Sequence, residues 1–158
     1  QVIDVTRPNV SFEQMTIDVY NSRVYLAGKH TWEPIVLNLR EDVNNNVQKL
    51  VGEQLQKQFD FYEQSSAASG QDYKFVTRIE ILDGGNGANV PNVLETFELY
   101  GCYVESANYN SLAYSNSTDP VSVTLNIRYD NALQSPQGTG IGTAVGRTVN
   151  TSVTGGGV

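Results

Sequence analysis

The feature of this sequence that most constrains its fold is a run at residues 121–130 in which apolar and polar side chains alternate strictly. Successive side chains of a β-strand point to opposite faces, so this run predicts a strand with one face on a core and one face in water. A chain that carries such a strand is expected to build a two-faced sheet around it. The apolar face comprises Val121, Val123, Leu125, Ile127 and Tyr129, and the polar face comprises Ser122, Thr124, Asn126, Arg128 and Asp130.

Five further segments have the composition and spacing of strands, bounded by turn residues. A tight turn at Asn21-Ser22 is predicted to join the first two into a hairpin, and Gly28 is expected to close the second strand. Pro34 predicts an edge or a bulge in the third strand, and Gly101 predicts a bulge or a close backbone approach in the fifth. The segments are 10–19, in which Met15, Ile17 and Val19 are expected to share a half-buried face, 23–27, 31–40, 73–82 and 95–106.

A change of period at residues 42–62 predicts a helix. Apolar side chains recur there at three- and four-residue steps, which places them on one side of a helix and polar residues on the other. Glu41 or Asp42 is expected to cap the first turn, and the stretch 65–70 is expected to end the helix. The predicted fold class is therefore mainly β, an antiparallel β-sandwich or rolled barrel with one flanking amphipathic helix. The outer side of that helix includes Lys49, Glu53 and Lys57.

Length and composition indicate one domain followed by an arm. A chain of 158 residues suits a single domain, and residues 1–132 contain all the predicted elements. Residues 133–158 are rich in Gly, Ser and Thr and have too few large apolar side chains to fold alone. We expect this arm to lie along a neighbouring subunit.

The charge balance argues against nucleic-acid binding. Only 17% of the residues are charged and the formal net charge is −7, whereas a protein that binds phosphates tightly needs clusters of Lys and Arg. An acidic wall repels phosphates, so DNA could pass along it without specific binding. A polar, weakly charged surface also suits packing against further copies of the same chain.

The residue types that usually carry chemistry do not form a recognisable site, and we predict no catalytic residues, no metal site and no cofactor. Cys102 is the only cysteine, which argues against a disulfide framework and favours a buried thiol. His30 is the only histidine, and no nucleophile motif accompanies it. The stretch 84–89 approximates one calcium-binding repeat, but Asn89 stands where that repeat needs Asp, so a loop is expected.

Two other classes of function stay open from the residues alone. A β-sandwich module of a virion that binds glycans or a receptor would use exposed aromatic side chains, for which Tyr103, Tyr109 and Tyr114 are candidates. A hydrolase would need two carboxylates in one concave pocket. The acidic residues are scattered along the strands, and the sequence selects no pair.

Residues 21–42, NSRVYLAGKHTWEPIVLNLRED, resemble the tube proteins of T-even-type contractile phage tails. In that family a basic residue and a short apolar stretch are followed by Ala-Gly, Thr and an aromatic residue, and then by a strand, an acidic turn and an amphipathic helix. The segments ETFELYG and VSVTLNIRYDNA resemble the closing strands of the family, so the resemblance spans residues 10–132. The family's N-terminal strand, which precedes the hairpin, is not predicted here. The matching residues in the first segment are Arg23, Val24, Ala27, Gly28, Thr31, Trp32, Val36, Leu39 and Asp42.

The resemblance implies a structural virion protein, not an enzyme, that forms the inner tube of a contractile phage tail. Six copies would form a ring whose inner strands join one inter-subunit β-barrel, and stacked rings would provide a channel for DNA ejection and a scaffold for the sheath. The implied partners are further copies of the chain, the sheath protein, baseplate and tail-terminator proteins and passing DNA, without membrane insertion. The tail would assemble in the host cytoplasm. The Gly-rich arm is not standard in the family and leaves room for a tube initiator or a baseplate-junction protein.

Each surface of such a tube has candidate residues in this sequence. The lumen candidates are Asp18, Glu98, Thr124, Asn126 and Arg128, and the candidates that would face the sheath are Lys49, Glu53 and Lys57. The ring-stacking candidates are Asn21, Ser22, Gly84, Gly85, Asn86 and Gly87.

Overall fold

A computed structural model describes residues 1–115, 118–135 and 140–143 of the chain. These residues form a mainly β fold in which an antiparallel sheet curls into a half-barrel, with one helix, which confirms the predicted fold class. The elements in chain order are β1 (Val2–Val5), β2 (Asn9–Val19), β3 (Ser22–Glu33), β4 (Ile35–Arg40), α1 (Asn46–Gln58), β5 (Phe59–Asp60), β6 (Ser65–Ser66), a 3₁₀ turn (Gly70–Asp72), β7 (Phe75–Leu82), β8 (Val93–Asn108), β9 (Ser122–Arg128) and β10 (Asn131–Ser135).

Strand β8 lies at the centre of the main sheet, because three other strands pair with it. On one edge, Tyr100 lies opposite Asn131 of β10 and Tyr103 lies opposite Arg128 of β9, so β9 and β10 act as successive parts of one bent strand. Strand β7 pairs with the other edge, while β9 pairs onward with β4 and β4 with β1. The six-stranded sheet thus runs β1-β4-β9-β8-β7, with β10 beside β8 on the β9 side. Strands β2 and β3 form a separate two-stranded sheet, as do β5 and β6.

The core lies on one face of the main sheet and includes one buried residue of α1, Val51. Buried and half-buried residues alternate along β9, so the two-faced strand predicted from the sequence is confirmed. Cys102 is buried, as predicted, and burial raises the pKa of its thiol. The buried apolar side chains are Trp32, Ile35, Val51, Phe97, Leu99, Cys102, Val104, Val123, Leu125, Ile127, Tyr129 and Ala132.

Gly101 forms the irregularity predicted in β8 and keeps the apolar residues of that strand on one face. Leu99 and Cys102 are both fully buried although they are three residues apart, so the strand takes up one extra residue between them. The φ of Gly101 is +68°, a left-handed conformation that favours glycine. The carboxylate of Asp130 lies directly over Gly101 and accepts a hydrogen bond from Lys74 Nζ at 2.7 Å.

Strand β1 corrects the expectation that no strand precedes the hairpin. It pairs antiparallel with β4, with Val2 opposite Leu39 and Val5 opposite Leu37. The strand is four residues long, and only Val5 is even half-buried. A short edge strand of this kind shows no alternation that could be recognised in the sequence.

Gly28 does not end its strand, contrary to the sequence-based expectation. Strand β3 continues to Glu33, and Gly28 lies beside Glu13 where the register of the hairpin shifts. A Cβ at this position would come 3.0 Å from the Glu13 carbonyl oxygen, so close approach of the two strands explains the glycine. The extended run is interrupted instead at Pro34, which separates β3 from β4.

The helix spans Asn46–Gln58 and is shorter at both ends than the predicted 42–62. Its N-cap is Asn45, which has a left-handed backbone and makes no side-chain capping bond. The prediction that Glu41 or Asp42 caps the helix is therefore wrong. Tertiary packing, rather than a strong cap, is expected to stabilise a helix with such an end.

Two sets of contacts fix the C-terminal end of the helix. The Asp60 carboxylate accepts hydrogen bonds from the backbone N–H groups of Tyr62 at 3.0 Å and Glu63 at 3.3 Å, a local turn that competes with helical bonding. The side-chain amide of Gln58 bonds both backbone polar groups of Val104, each at 2.9 Å. The helix is thereby tied to an otherwise open stretch of the β8 edge.

The expected boundary between domain and arm, at residue 132, falls inside β10. Residues 133–135 pair with β8, and the Gln134 N–H donates to the Ile141 carbonyl oxygen at 2.7 Å. The rest of the predicted arm, apart from residues 140–143, lies outside the described residues. Its expected position along a neighbouring subunit stays a prediction.

Replacing Gly101 with alanine should destabilise the protein. A left-handed backbone costs a residue with a Cβ roughly 1–2 kcal/mol, and the new Cβ would lie 2.7 Å from Asp130 Cγ, which displaces the partner of Lys74. We expect urea denaturation to show a free energy of unfolding lower by at least that amount. Gly52→Ala is the matched control, because a Cβ there meets no atom within 4 Å and alanine is favoured in helices by about 0.8–1.0 kcal/mol. Equal stability of Gly101→Ala and the unmodified protein would contradict this account of the bulge.

Candidate functional site

The face of the main sheet opposite the core carries polar contacts that cross from strand to strand. The Thr124 hydroxyl donates to Asn38 Oδ1 at 2.7 Å, and Asn38 Nδ2 donates to Asp4 Oδ1 at 2.6 Å, which links β9, β4 and β1. Asn126 Nδ2 donates to Ser106 Oγ at 2.8 Å, which links β9 and β8. These side chains hydrogen-bond to one another, which fixes their positions on this polar face.

The charged residues of the same face are paired with opposite charges. Arg78 donates to Glu98 at 2.9 Å, and Arg128 lies 3.6 Å from a carboxylate oxygen of Glu105. The Tyr100 hydroxyl also donates to Glu98, at 2.6 Å. This hydrogen bond, followed by the contact with Arg78, lowers the pKa of the Glu98 carboxyl below its ordinary value. Each glutamate is thus paired with an arginine, which is not the arrangement of a two-carboxylate hydrolase site.

The structure brings together four of the five lumen candidates and places the fifth elsewhere. Asp18 lies near the tip of the separate β2–β3 sheet, where its carboxylate is 3.2 Å from Arg23 Nε. Whether any of these residues faces a lumen stays a prediction. The four that share the polar face of the main sheet are Glu98, Thr124, Asn126 and Arg128.

The β2–β3 hairpin has an apolar face that the structure leaves open. Met15, Ile17 and Val19 are 52%, 45% and 44% exposed, so the prediction that this face of the strand is half-buried is wrong. Their period of two indicated that one face was apolar, but not that the described residues leave this face exposed. Across the hairpin, Leu26 lies opposite Met15 and Val24 opposite Ile17, and both are equally open. We call these five side chains the hairpin apolar face.

The turn of the hairpin lies one residue earlier than predicted. Val19 pairs with Ser22, so the two turn residues are Tyr20 and Asn21, and Ser22 begins β3. The Ser22 hydroxyl donates to the Val19 carbonyl oxygen at 3.1 Å. Tyr20 has a φ of 50° and a fully exposed ring. Nothing in the sequence singled out this aromatic tip, since tyrosine is unusual in a left-handed turn position.

The other predicted ring-stacking candidates, Gly84, Gly85, Asn86 and Gly87, lie in the connection between β7 and β8, as expected for a loop. Asp83 Oδ1 accepts from the backbone N–H groups of Gly85 at 3.3 Å and Asn92 at 2.8 Å. Asn86 Oδ1 accepts from the N–H groups of the two residues at 88 and 89, each at 3.1 Å. These side-chain turns give the loop a defined shape.

The helix residues predicted to face a sheath, Lys49, Glu53 and Lys57, are all exposed. Beside this helix the structure also shows an apolar groove of about 540 Å³, which we call the helix–sheet groove. Sequence reasoning missed it because Leu50, which is 70% exposed, continues the apolar period of the helix without being covered. The groove is lined by Leu37, Leu39, Leu50, Val51, Glu53, Gln54, Lys57, Phe75, Val76, Thr77, Arg78, Val104, Leu125 and Ile127.

The three tyrosines suggested for a glycan- or receptor-binding surface lie in two different parts of the fold. Tyr109 and Tyr114 line a loop cavity of about 480 Å³, whereas Tyr103 lies in β8 with its ring edge-on to Tyr73 at 6.5 Å. Within residues 1–115, 118–135 and 140–143, no cluster of three or more His, Cys, Asp or Glu side chains could hold a metal ion. In the same part of the chain, no helix is both long and apolar enough to span a membrane.

The architecture, a curled two-faced sheet with one helix and a projecting hairpin, matches chains of solved contractile injection systems. The cap that terminates the tube of the anti-feeding prophage gives a TM-score of 0.64 at 12% identity, covering 85% of this chain and 79% of that chain. A chain of the sheath–tube complex of an extracellular contractile injection system, PVC, gives 0.62 at 13% identity, covering 85% and 80%. The crystal structure of an Hcp protein gives 0.53 at 11% identity, covering 84% and 68%.

No family model and no curated protein matches this sequence, so the comparison rests on structure. At identities of 11–13% the match establishes the fold and not the function. The resemblance seen in the sequence is confirmed at that level, because the structural neighbours are chains of tube, cap and baseplate assemblies of contractile systems.

Removing the Tyr100 hydroxyl should raise the pKa of Glu98. In Tyr100→Phe the largest cause of the lowered pKa is lost while Arg78 remains, so the pKa should move up towards its ordinary value without reaching it. A lowered carboxyl pKa adds stability above the pKa of the unfolded state, and that stability is lost as pH falls through the folded value. The variant should therefore lose less stability on acidification.

Carbon-detected NMR titration of the glutamate carboxyls would measure this shift. Tyr103→Phe serves as the control, because its ring packs on Tyr73 and its hydroxyl is not a partner of Glu98. An unchanged Glu98 pKa in Tyr100→Phe would show that the hydrogen bond from Tyr100 does not lower the pKa of Glu98.

Proposed function

We propose that this chain is a structural subunit of the inner tube of a contractile phage tail or a related injection machine. The observation that carries the proposal is a match over 85% of the chain to a tube-terminating cap and to a sheath–tube complex. In this role six copies form a ring, rings stack, and the resulting tube conducts DNA and supports a sheath. The protein performs no chemistry in that role.

Open sheet edges support assembly into a ring. Among the described residues, the outer edges of β1 and β7 pair with no other strand. An open edge offers unpaired N–H and C=O groups to another chain, and closure into a barrel removes such edges. Assembly into a ring would bring the backbone of another copy to these edges.

The polar face of the sheet suits the wall of a DNA channel. Asp4, Glu80, Glu98 and Glu105 exceed by one the three arginines of this face, Arg40, Arg78 and Arg128. An acidic excess repels phosphates. Side chains that already form hydrogen bonds or ion pairs with one another have little tendency to bind DNA. DNA would therefore pass without specific binding.

The remaining surfaces divide between the outside of the tube and the contacts between rings. Of the exposed helix residues that we assign to a sheath contact, Lys49 lies outside the helix–sheet groove, whereas Glu53 and Lys57 also line it. The hairpin tip at Asn21 and Ser22 and the shaped loop at 84–87 are the parts we assign to ring stacking, with Tyr20 added as an exposed anchor.

A single ring that starts or ends the tube is the second candidate role. It is supported by matches to a chain of the anti-feeding prophage baseplate, with a TM-score of 0.59, and to a sheath/tube terminator, with a TM-score of 0.62. The two roles differ in copy number. A repeating subunit forms tubes of many rings, whereas an initiator or terminator stops at one ring.

Electron microscopy of the purified protein should show rings with a central hole, alone or stacked into tubes. The expected result follows from the open sheet edges and the hairpin apolar face, which the described part of a single chain leaves uncovered. Compact monomers across a range of protein concentrations would overturn the proposal. Tubes of many rings would favour the repeating role, and single rings would favour the terminal one.

Positive charge on the polar face should slow DNA passage. Asn126→Lys adds one cation per copy, and the delay should be larger at low salt because phosphate contacts are screened by salt. The measurement is the rate of DNA release from virions that carry the variant. Gln48→Lys adds the same charge to the exposed side of the helix and is expected to leave the rate unchanged. Equal rates for Asn126→Lys and the unmodified protein would remove the lumen assignment of this face.

A further inference from the structure

The hairpin formed by β2 and β3 is exposed along almost its whole length. All eleven residues of β2 are exposed, and in β3 only Gly28 and Trp32 are covered to any extent. Trp32 packs against Tyr129 at a ring distance of 5.6 Å and anchors the base of the hairpin to the core. Beyond this anchor the ribbon projects from the domain.

The apolar face of this projecting hairpin is expected to pack against another surface. An isolated two-stranded hairpin is marginally stable in water at best. Here Met15, Ile17, Val19, Val24 and Leu26 place five large apolar side chains on one face, and contiguous open apolar surface of this kind marks an interaction site. The opposite face carries Thr16, Asp18, Arg23 and Tyr25.

The same chain offers a second open apolar surface, the helix–sheet groove. Its floor is formed by side chains of the main sheet and one wall by Leu50 of the helix. Phe75 and Val76 bring the groove to the end of β7, whose outer edge pairs with no strand in the described residues. A strand added to that edge would project every second side chain over the groove.

We propose that the β2–β3 hairpin of one copy lies along β7 of a second copy and covers its helix–sheet groove with the hairpin apolar face. This inference rests on the proposed tube function and specifies one of its subunit contacts. The hairpin's outer edge would extend the main sheet of the neighbour, while Met15, Ile17 and Leu26 would extend its core.

The two faces of the hairpin match the two faces of the sheet that it would join. With the apolar face over the groove, the polar face continues the polar face of β7, which carries Glu80; Arg78 lines the groove and its guanidinium reaches Glu98 of that polar face. Asp18 and Arg23 of the hairpin offer these residues opposite charges. Such a contact would also bring Asp18 onto the same wall as the other four lumen candidates, a position that it does not have within its own chain.

The geometry of the contact fits a ring. Hairpin and groove are different surfaces of the same chain, so the contact is head-to-tail and each copy uses both surfaces. Head-to-tail contacts generate closed rings or helical filaments, whereas a self-complementary patch would stop at a dimer.

The test uses one variant on each surface. Ile17→Asp disables the hairpin apolar face, and Leu50→Asp disables the groove, both at exposed positions where the change leaves the core intact. Each variant alone should be a folded monomer by circular dichroism and light scattering. A mixture of the two should form 1:1 heterodimers that grow no further, because only one intact hairpin and one intact groove remain.

The matched controls are Thr16→Asp and Gln48→Asp. Thr16 lies on the opposite face of the same hairpin and Gln48 on the exposed side of the same helix, so both variants should assemble like the unmodified protein. Val24→Asp and Val76→Asp provide a second pair with the same expectation if one of the first pair does not fold. Rings formed by Ile17→Asp, or a mixture that stays monomeric, would overturn this inference while leaving the tube function in place. A lack of rings from the unmodified protein would instead contradict the tube function itself.

Discussion

The main sheet depends on strand β8 keeping one buried apolar face from Phe97 to Val104. An extra residue between Leu99 and Cys102 would turn the second half of the strand over, because a shift of one residue exchanges the two faces of a strand. Gly101 takes up that residue in a left-handed conformation, with Asp130 folded over it. Strands β7, β9 and β10 can then pair with β8 around one continuous core.

The elements that pack on this core bury part of their apolar surface, whereas the hairpin leaves most of its apolar side chains exposed. The helix joins the core through Val51 and through the amide of Gln58 on the edge of β8. Among the described residues, the hairpin joins it through Trp32, and the hairpin apolar face is exposed. This imbalance, together with the open edges of β1 and β7 among the described residues, is the physical reason for the proposal that the chain assembles with other copies.

The candidate surfaces differ in how far local pattern could identify them. Thr124, Asn126 and Arg128 were placed on one face by their period of two, and the structure confirms that grouping. Asp18 follows the same period but belongs to a different sheet, which no local pattern reveals. The helix–sheet groove and the exposed tip at Tyr20 also escaped prediction, because each depends on the absence of a neighbouring element.

The sequence by itself determined the class of fold, the faces of the longer strands and the place of the bulge at Gly101, since these follow from side-chain alternation and from the backbone freedom of glycine. It could not give the N-terminal strand or the ends of the helix, where Asn45 and Asp60 act through local bonds that compete with the helical pattern. Only the tertiary structure decided that the apolar side of β9 is buried while that of β2 is open. Alternation shows that two faces differ, but long-range packing determines which face is covered, and the described residues do not cover the apolar face of the hairpin.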